Sequence, residues 1–154
     1  MTDEDYMKQA LDQARQAAEL GEVPVGAIIV AGGRIIARAH NLCERLRDFT
    51  AHAEMQAFTS ASEYLGGKFL DQCTLYVTLE PCPMCAGAAF WTRIGRVVYG
   101  ARDHKRGGLD FHGSRDEGLL HPKTELVGGV LEEDCAELLS SFFAARRKKG
   151  PGAA

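Results

Sequence analysis

Residues 73–92 read CTLYVTLEPCPMCAGAAFWT, and the fold turns on where this segment changes its period. Leu75, Val77 and Leu79 alternate with Tyr76 and Thr78, the two-residue rhythm of a strand. From Cys82 the alternation stops, and small and apolar residues run on toward Ile94. Pro83 suits the first turn of a helix, where its missing N–H is no loss. The segment therefore predicts a strand delivering the chain directly into a helix. Cys82 and Cys85 lie three residues apart on the opening turn, so both sulfurs can point the same way. The unpaired N–H groups of a helix start favour thiolate over thiol. Such a pair fits a redox couple, a structural metal clip or half of a catalytic metal site, and alone it does not separate them.

Outward from this junction the pattern is α-β-β-α-β-α-β-(β)-α. Met7, Ala10, Leu11, Ala14 and Ala18 recur at helical spacing, and Gly21 and Pro24 end that helix. PVGAIIV and RIIARAH read as strands joined by a tight Gly32-Gly33 hairpin. An Ala-rich helix spans Thr50 to Tyr64 and is ended by Gly66 and Gly67. RVVYGA is a further strand, residues 102–123 a loop, and ELVGGV a short last strand. Cys135, Leu138, Leu139 and Phe142 mark a closing amphipathic helix. This predicts an α/β fold, a three-layer α/β/α sandwich around one mixed sheet. It forms a single domain over residues 1–149, followed by a disordered tail at 150–154.

With 154 residues, 45% hydrophobic and 25% charged, the chain suits one domain with a proper core. No run reaches the length of a membrane span. The acidic start, MTDEDYMKQA, lacks an apolar signal region. Five cysteines without such a signal read as reduced thiols, so the expected location is the cytoplasm. A net charge of -3 gives no global attraction to nucleic acid, so RNA binding needs a local basic patch.

His52 and Glu54, in HAE at the start of the preceding helix, change the odds for the cysteines. One imidazole and two thiolates make three ligands and leave a fourth tetrahedral position open, the pattern of a catalytic zinc site. Glu54, close by but not a ligand, suits a proton carrier between an activated water and a leaving nitrogen. A structural zinc remains the alternative. Its fourth ligand would be Cys43, because Cys73 and Cys135 read as buried hydrophobes.

HAE followed by PCPMC matches the H-x-E…P-C-x-x-C signature of zinc-dependent nucleobase deaminases. GEVPVGA, TAHAEMQA, LYVTLEPC, MCAGA, RIGRVVYGARD and CAELLSSFFAARR extend the likeness over about Tyr6 to Arg147. Together they closely resemble the bacterial tRNA-specific adenosine deaminases of the cytidine/deoxycytidylate deaminase superfamily. The resemblance implies a cytidine-deaminase-like fold with a five-stranded sheet and one zinc ion per subunit. The implied reaction converts the wobble adenosine of an arginine tRNA anticodon to inosine. His52, Cys82 and Cys85 would hold the zinc and Glu54 would shuttle the proton. Asn41 and the Ala53 amide would hold the base, with Val23, Pro24 and Leu79 walling its pocket. The family also implies a homodimer. Pro83, where these enzymes commonly have Val, and the nearby Trp91 are similar to the superfamily's guanine deaminases, which makes a free-base deaminase the second reading. Phe49 stands where the superfamily often has Pro.

Basic residues supply the local patch. Arg102, Lys105 and Arg106 with Asp103 follow one strand, and Arg146 and Arg147 follow Phe142 on the last helix. Cations interleaved with aromatics suit phosphate contact and base stacking on an anticodon stem-loop. The same cations also complement a helix C-terminus. A structural-zinc RNA-binding module without catalysis is the third reading.

Overall fold

The computed structural model describes residues 1–109 and 119–149. The tail predicted at 150–154 and the middle of the loop predicted at 102–123 lie outside the described residues. Helix α1 (Asp3–Glu19) starts from Thr2, whose hydroxyl accepts from the Asp5 N–H while the Asp5 carboxylate accepts from the Thr2 N–H. Its buried stripe is Tyr6, Met7, Ala10, Leu11, Ala14 and Ala17. The expected Ala18 is only half-buried, one position round the helix. Strands β1 (Gly26–Ala31) and β2 (Arg34–His40) form the predicted hairpin, with Gly32 and Gly33 at φ 56° and 76°.

A one-turn helix, α2 (Cys43–Leu46), follows and was not expected. Helix α3 (Ala53–Leu65) starts later than Thr50, because the Asp48 carboxylate accepts from both the N–H and the hydroxyl of Thr50 and holds it in a turn. Then come β3 (Cys73–Leu79), α4 (Pro83–Thr92), β4 (Arg96–Ala101), β5 (Glu125–Val127) and α5 (Glu132–Lys149). Helix α4 stops short of Ile94 because Arg93 takes the left-handed conformation at φ 55°.

The five strands lie in the order β2-β1-β3-β4-β5. The β1 pairings are antiparallel, while β3–β4 and β4–β5 are parallel. The alternation read in β3 sorts side chains between two cores. Leu75 and Val77 pack with the α3–α4 layer, and Tyr76 with the α1–α5 layer. Both faces are covered, as the three-layer reading requires. Gly26 lets α1 lie directly on β1, since a Cβ there would meet the Ala10 carbonyl and the Ala14 amide.

The start of α1 is tied to the sheet through Asp3. Its carboxylate takes both guanidinium nitrogens of Arg96 at 2.7 Å and the Tyr76 hydroxyl at 2.7 Å. The Arg96 hydrogen bonds hold the Asp3 carboxyl below its usual range, and Tyr76 adds to this. A depressed carboxylate stabilises the fold above its unfolded pKa, and that contribution is lost as pH falls through the folded one. Asp3→Asn is expected to cost about 1–3 kcal/mol at pH 7. Thermal melts should show its deficit shrinking below pH 3.8. A deficit independent of pH would show that the ion pair is not its source.

Candidate metal centre and active site

The starts of α3 and α4 converge beyond the end of β3. His52 is the N-cap of α3 and Cys82 the N-cap of α4, and neither side chain caps its own helix. Both backbones are extended there, with φ -70° in each case. The side chains therefore leave the helix ends and meet one another. His52 Nδ1 lies 3.6 Å from Cys82 Sγ and 3.4 Å from Cys85 Sγ. A tetrahedral zinc with ordinary Zn–N and Zn–S bonds separates such atoms by about 3.6 Å, so the three residues fit the ion.

Among the described residues these three form the group of His, Cys, Asp and Glu whose ligand atoms lie within 4.8 Å of one another. Cys43 is outside it, its sulfur set 3.9 Å from the Phe49 carbonyl oxygen. Cys73 and Cys135 are buried, as expected. All five cysteines are free thiols, and Cys82 and Cys85 are gathered with an imidazole, the arrangement of a metal centre.

The electrostatics suit a cation. A hydrogen bond from Cys85 and another from His52 push the Cys82 thiol down to about 4, against the opposing effect of burial. The Cys82 sulfur and burial push the Cys85 thiol up. Cys82 raises His52 in turn. Glu54, on the first turn of α3, is 3% exposed. Burial pushes its carboxyl up to about 7, where a group can both take and release a proton at neutral pH.

His52, Glu54 and Cys82 line a cavity of about 460 Å³, while Cys85 is fully buried and is not in its wall. Asn41, Val23 and Leu79 are in its wall, whereas Pro24 is fully buried behind it and Val25 lines it instead. The Ala53 N–H donates to Asn41 Oδ1 at 2.8 Å. That bond fixes which way the Asn41 amide faces, leaving its NH₂ as a donor. Pro83 lines the cavity, but Trp91 does not and is 77% exposed.

The structure divides the expected RNA contacts. Asp103 and Arg106 line the cavity, while Lys105 is exposed beside them. Arg102 Nε sits 3.9 Å from Glu80 Oε1. Phe142, Arg146 and Arg147 are on α5, outside the cavity wall. The Arg146 guanidinium lies over the Phe142 ring at 5.3 Å.

Three further wall residues were not among the site residues read from the sequence. Glu22 is 1% exposed, and its carboxylate accepts from the Glu44 and Arg45 N–H groups at 2.9 and 2.8 Å, fixing α2. Glu80 is buried and accepts from the Asp103 N–H at 3.2 Å, while its Oε2 has no hydrogen-bond partner among the described residues. It holds the loop after β4 against the cysteine turn, where the Gly108 N–H donates to the Pro81 carbonyl. Phe49 is the third, at the cavity mouth.

The MafB19-like deaminase family matches residues 1–147. The tRNA-specific adenosine deaminase of Bacillus subtilis (strain 168) is 51% identical over 149 residues, 96% of this chain and 92% of that one. A structure from work on A-to-I editing by tRNA:A34 deaminases at the wobble position of transfer RNA aligns with a TM-score of 0.80. It shares 44% identity and covers 88% of this chain and 99% of that one. The guanine deaminase from Nitrosomonas europaea aligns with a TM-score of 0.83 at 25% identity, covering 92% of this chain and 84% of that one.

Proposed function

The chain belongs to the tRNA-specific adenosine deaminases, within the MafB19-like deaminase family, and from that premise we propose that it hydrolyses the wobble adenosine of an arginine tRNA anticodon to inosine. The observation that carries the reading is the His52–Cys82–Cys85 group opening on the cavity beside the buried carboxyl of Glu54. His52 Nδ1 and the two sulfurs would hold one zinc ion, which in such a site makes water available for attack at neutral pH.

The chain's own residues do the rest. Glu54 takes a proton from the attacking water and returns it to the amino nitrogen as the C–N bond breaks and ammonia leaves. Asn41, aimed by the Ala53 N–H, donates to an acceptor on the purine edge. Val23, Val25 and Leu79 supply apolar surface in place of the stacking that the flipped base leaves behind. Asp103 and Arg106 stand where the ribose and phosphates would cross the mouth, and Lys105 lies beside them. Arg102 and, on α5, Phe142, Arg146 and Arg147 extend the RNA surface. The enzyme acts as a cytoplasmic homodimer, as its family implies.

An anticodon loop offers its bases unpaired, whereas a duplex adds a few kcal/mol for unstacking and unpairing. Ammonia release should therefore be fast from an arginine anticodon stem-loop with adenosine at the wobble position, and about 10²-fold slower from a duplex carrying the same adenosine. Free guanine is the control for the second reading, which Pro83 in the cavity wall keeps open. Turnover of guanine with none of the stem-loop would overturn the assignment.

A further inference from the structure

We propose that Phe49 is a stacking platform for the base next to the one taken into the cavity, making the end of α2 and the turn that follows it an RNA-contacting rim. This rests on the single-stranded RNA substrate proposed above. Phe49 is 91% exposed, yet it stands in the wall of the catalytic cavity. An exposed ring in the wall of a cavity is positioned to meet what enters it, and an aromatic face is the surface on which a nucleobase stacks. The other exposed aromatics among the described residues, Tyr64, Phe69, Trp91 and Phe143, do not line that cavity.

The loop beneath Phe49 is held in place. Glu22 fixes α2 from inside, and the Asp48 N–H donates to the Cys43 carbonyl at 2.9 Å. The Asp48 carboxylate is occupied by Thr50, and the Leu42 N–H donates to the Ala51 carbonyl at 3.0 Å. The ring thus sits on backbone already ordered, so a base that docks on it orders little else. A nucleotide strand whose target base enters the cavity must carry its neighbours across this mouth. A neighbouring base has a π-face and needs no sequence-specific partner to stack. Arg45 and Arg47 precede Phe49 by four and two residues, both exposed, and neither makes an ion pair among the described residues. Cations beside an aromatic suit the phosphates on either side of a stacked base.

The test uses the full chain with an anticodon stem-loop, intact or abasic at one of the two positions flanking the target adenosine. Phe49→Ala should raise KM for the intact loop about tenfold, the scale of one lost base–aromatic stack, with kcat changed less than twofold. Phe49→Trp should restore it. One of the two abasic loops should cost the wild-type enzyme about the same factor and cost Phe49→Ala less than twofold, since both changes remove one interaction. Penalties that multiply would overturn the proposal. So would a shift in sedimentation mass for Phe49→Ala, which would place the ring under a second copy of the chain. Wild-type enzyme inactive on the intact loop would sink the proposed function itself. An active wild type matched by Phe49→Ala would sink only the stacking role.

Discussion

Glu54→Gln should lose about 10³- to 10⁴-fold in kcat for ammonia release while its affinity for the stem-loop stays within about threefold of wild type. The figure lies at the upper end of general acid–base effects because one carboxyl serves twice, accepting from water and donating to nitrogen. Glutamine keeps the shape and stays buried, but it cannot carry a proton. The same substitution carries a stability signature. Burial raises the folded pKa of Glu54 from 4.5 to about 7. A raised carboxyl favours the fold fully below the unfolded value, and the benefit is lost as pH rises through the folded one. In metal-free protein, Glu54→Gln should therefore melt above wild type at pH 8 and lose that advantage below pH 4.5. A non-catalytic RNA-binding module predicts no activity in either protein. Retention of a tenth or more of kcat would assign the proton transfer to another group.

The junction of β3 and α4 was legible because two local signals agree there, the end of strand alternation and a proline fitted to a first helical turn. The metal group was legible for a related reason. His52 and Cys82 are N-caps, and a helix start restricts where a side chain can go. What escaped the sequence depends on partners far along the chain. Helix α2 exists because the carboxylate of Glu22 binds its first N–H groups, from a residue that reads as one more loop acid. Glu80 is equally silent, since its partner is a backbone N–H of a loop 23 residues away. Phe49 stands out in the sequence only as a departure from the superfamily's usual Pro, and nothing local says that its ring is in water in a cavity wall. Trp91 likewise bears less on the purine than its nearness to the cysteines implied, since it lies outside the cavity wall.

Stripping the metal with a chelator should abolish ammonia release, by more than about 10³-fold, and lower the melting temperature. Activity should return with one equivalent of Zn²⁺ and not with Mg²⁺, because two thiolates and an imidazole select a borderline-soft cation over a hard one. Cys82→Ser, Cys85→Ser and His52→Ala should each behave like the stripped protein. All three donor atoms sit within 4.8 Å of one another, and among the described residues no further His, Cys, Asp or Glu joins the group. Cys43→Ser is the decisive companion. A structural zinc would take Cys43 as its fourth ligand, so serine there would release metal and unfold the site. Yet the Cys43 sulfur faces the Phe49 carbonyl, outside the group. Retained zinc stoichiometry and retained turnover in Cys43→Ser would leave the fourth position to water, where hydrolysis needs it. Loss of metal in that variant would close the site with four protein ligands and remove the basis for catalysis there.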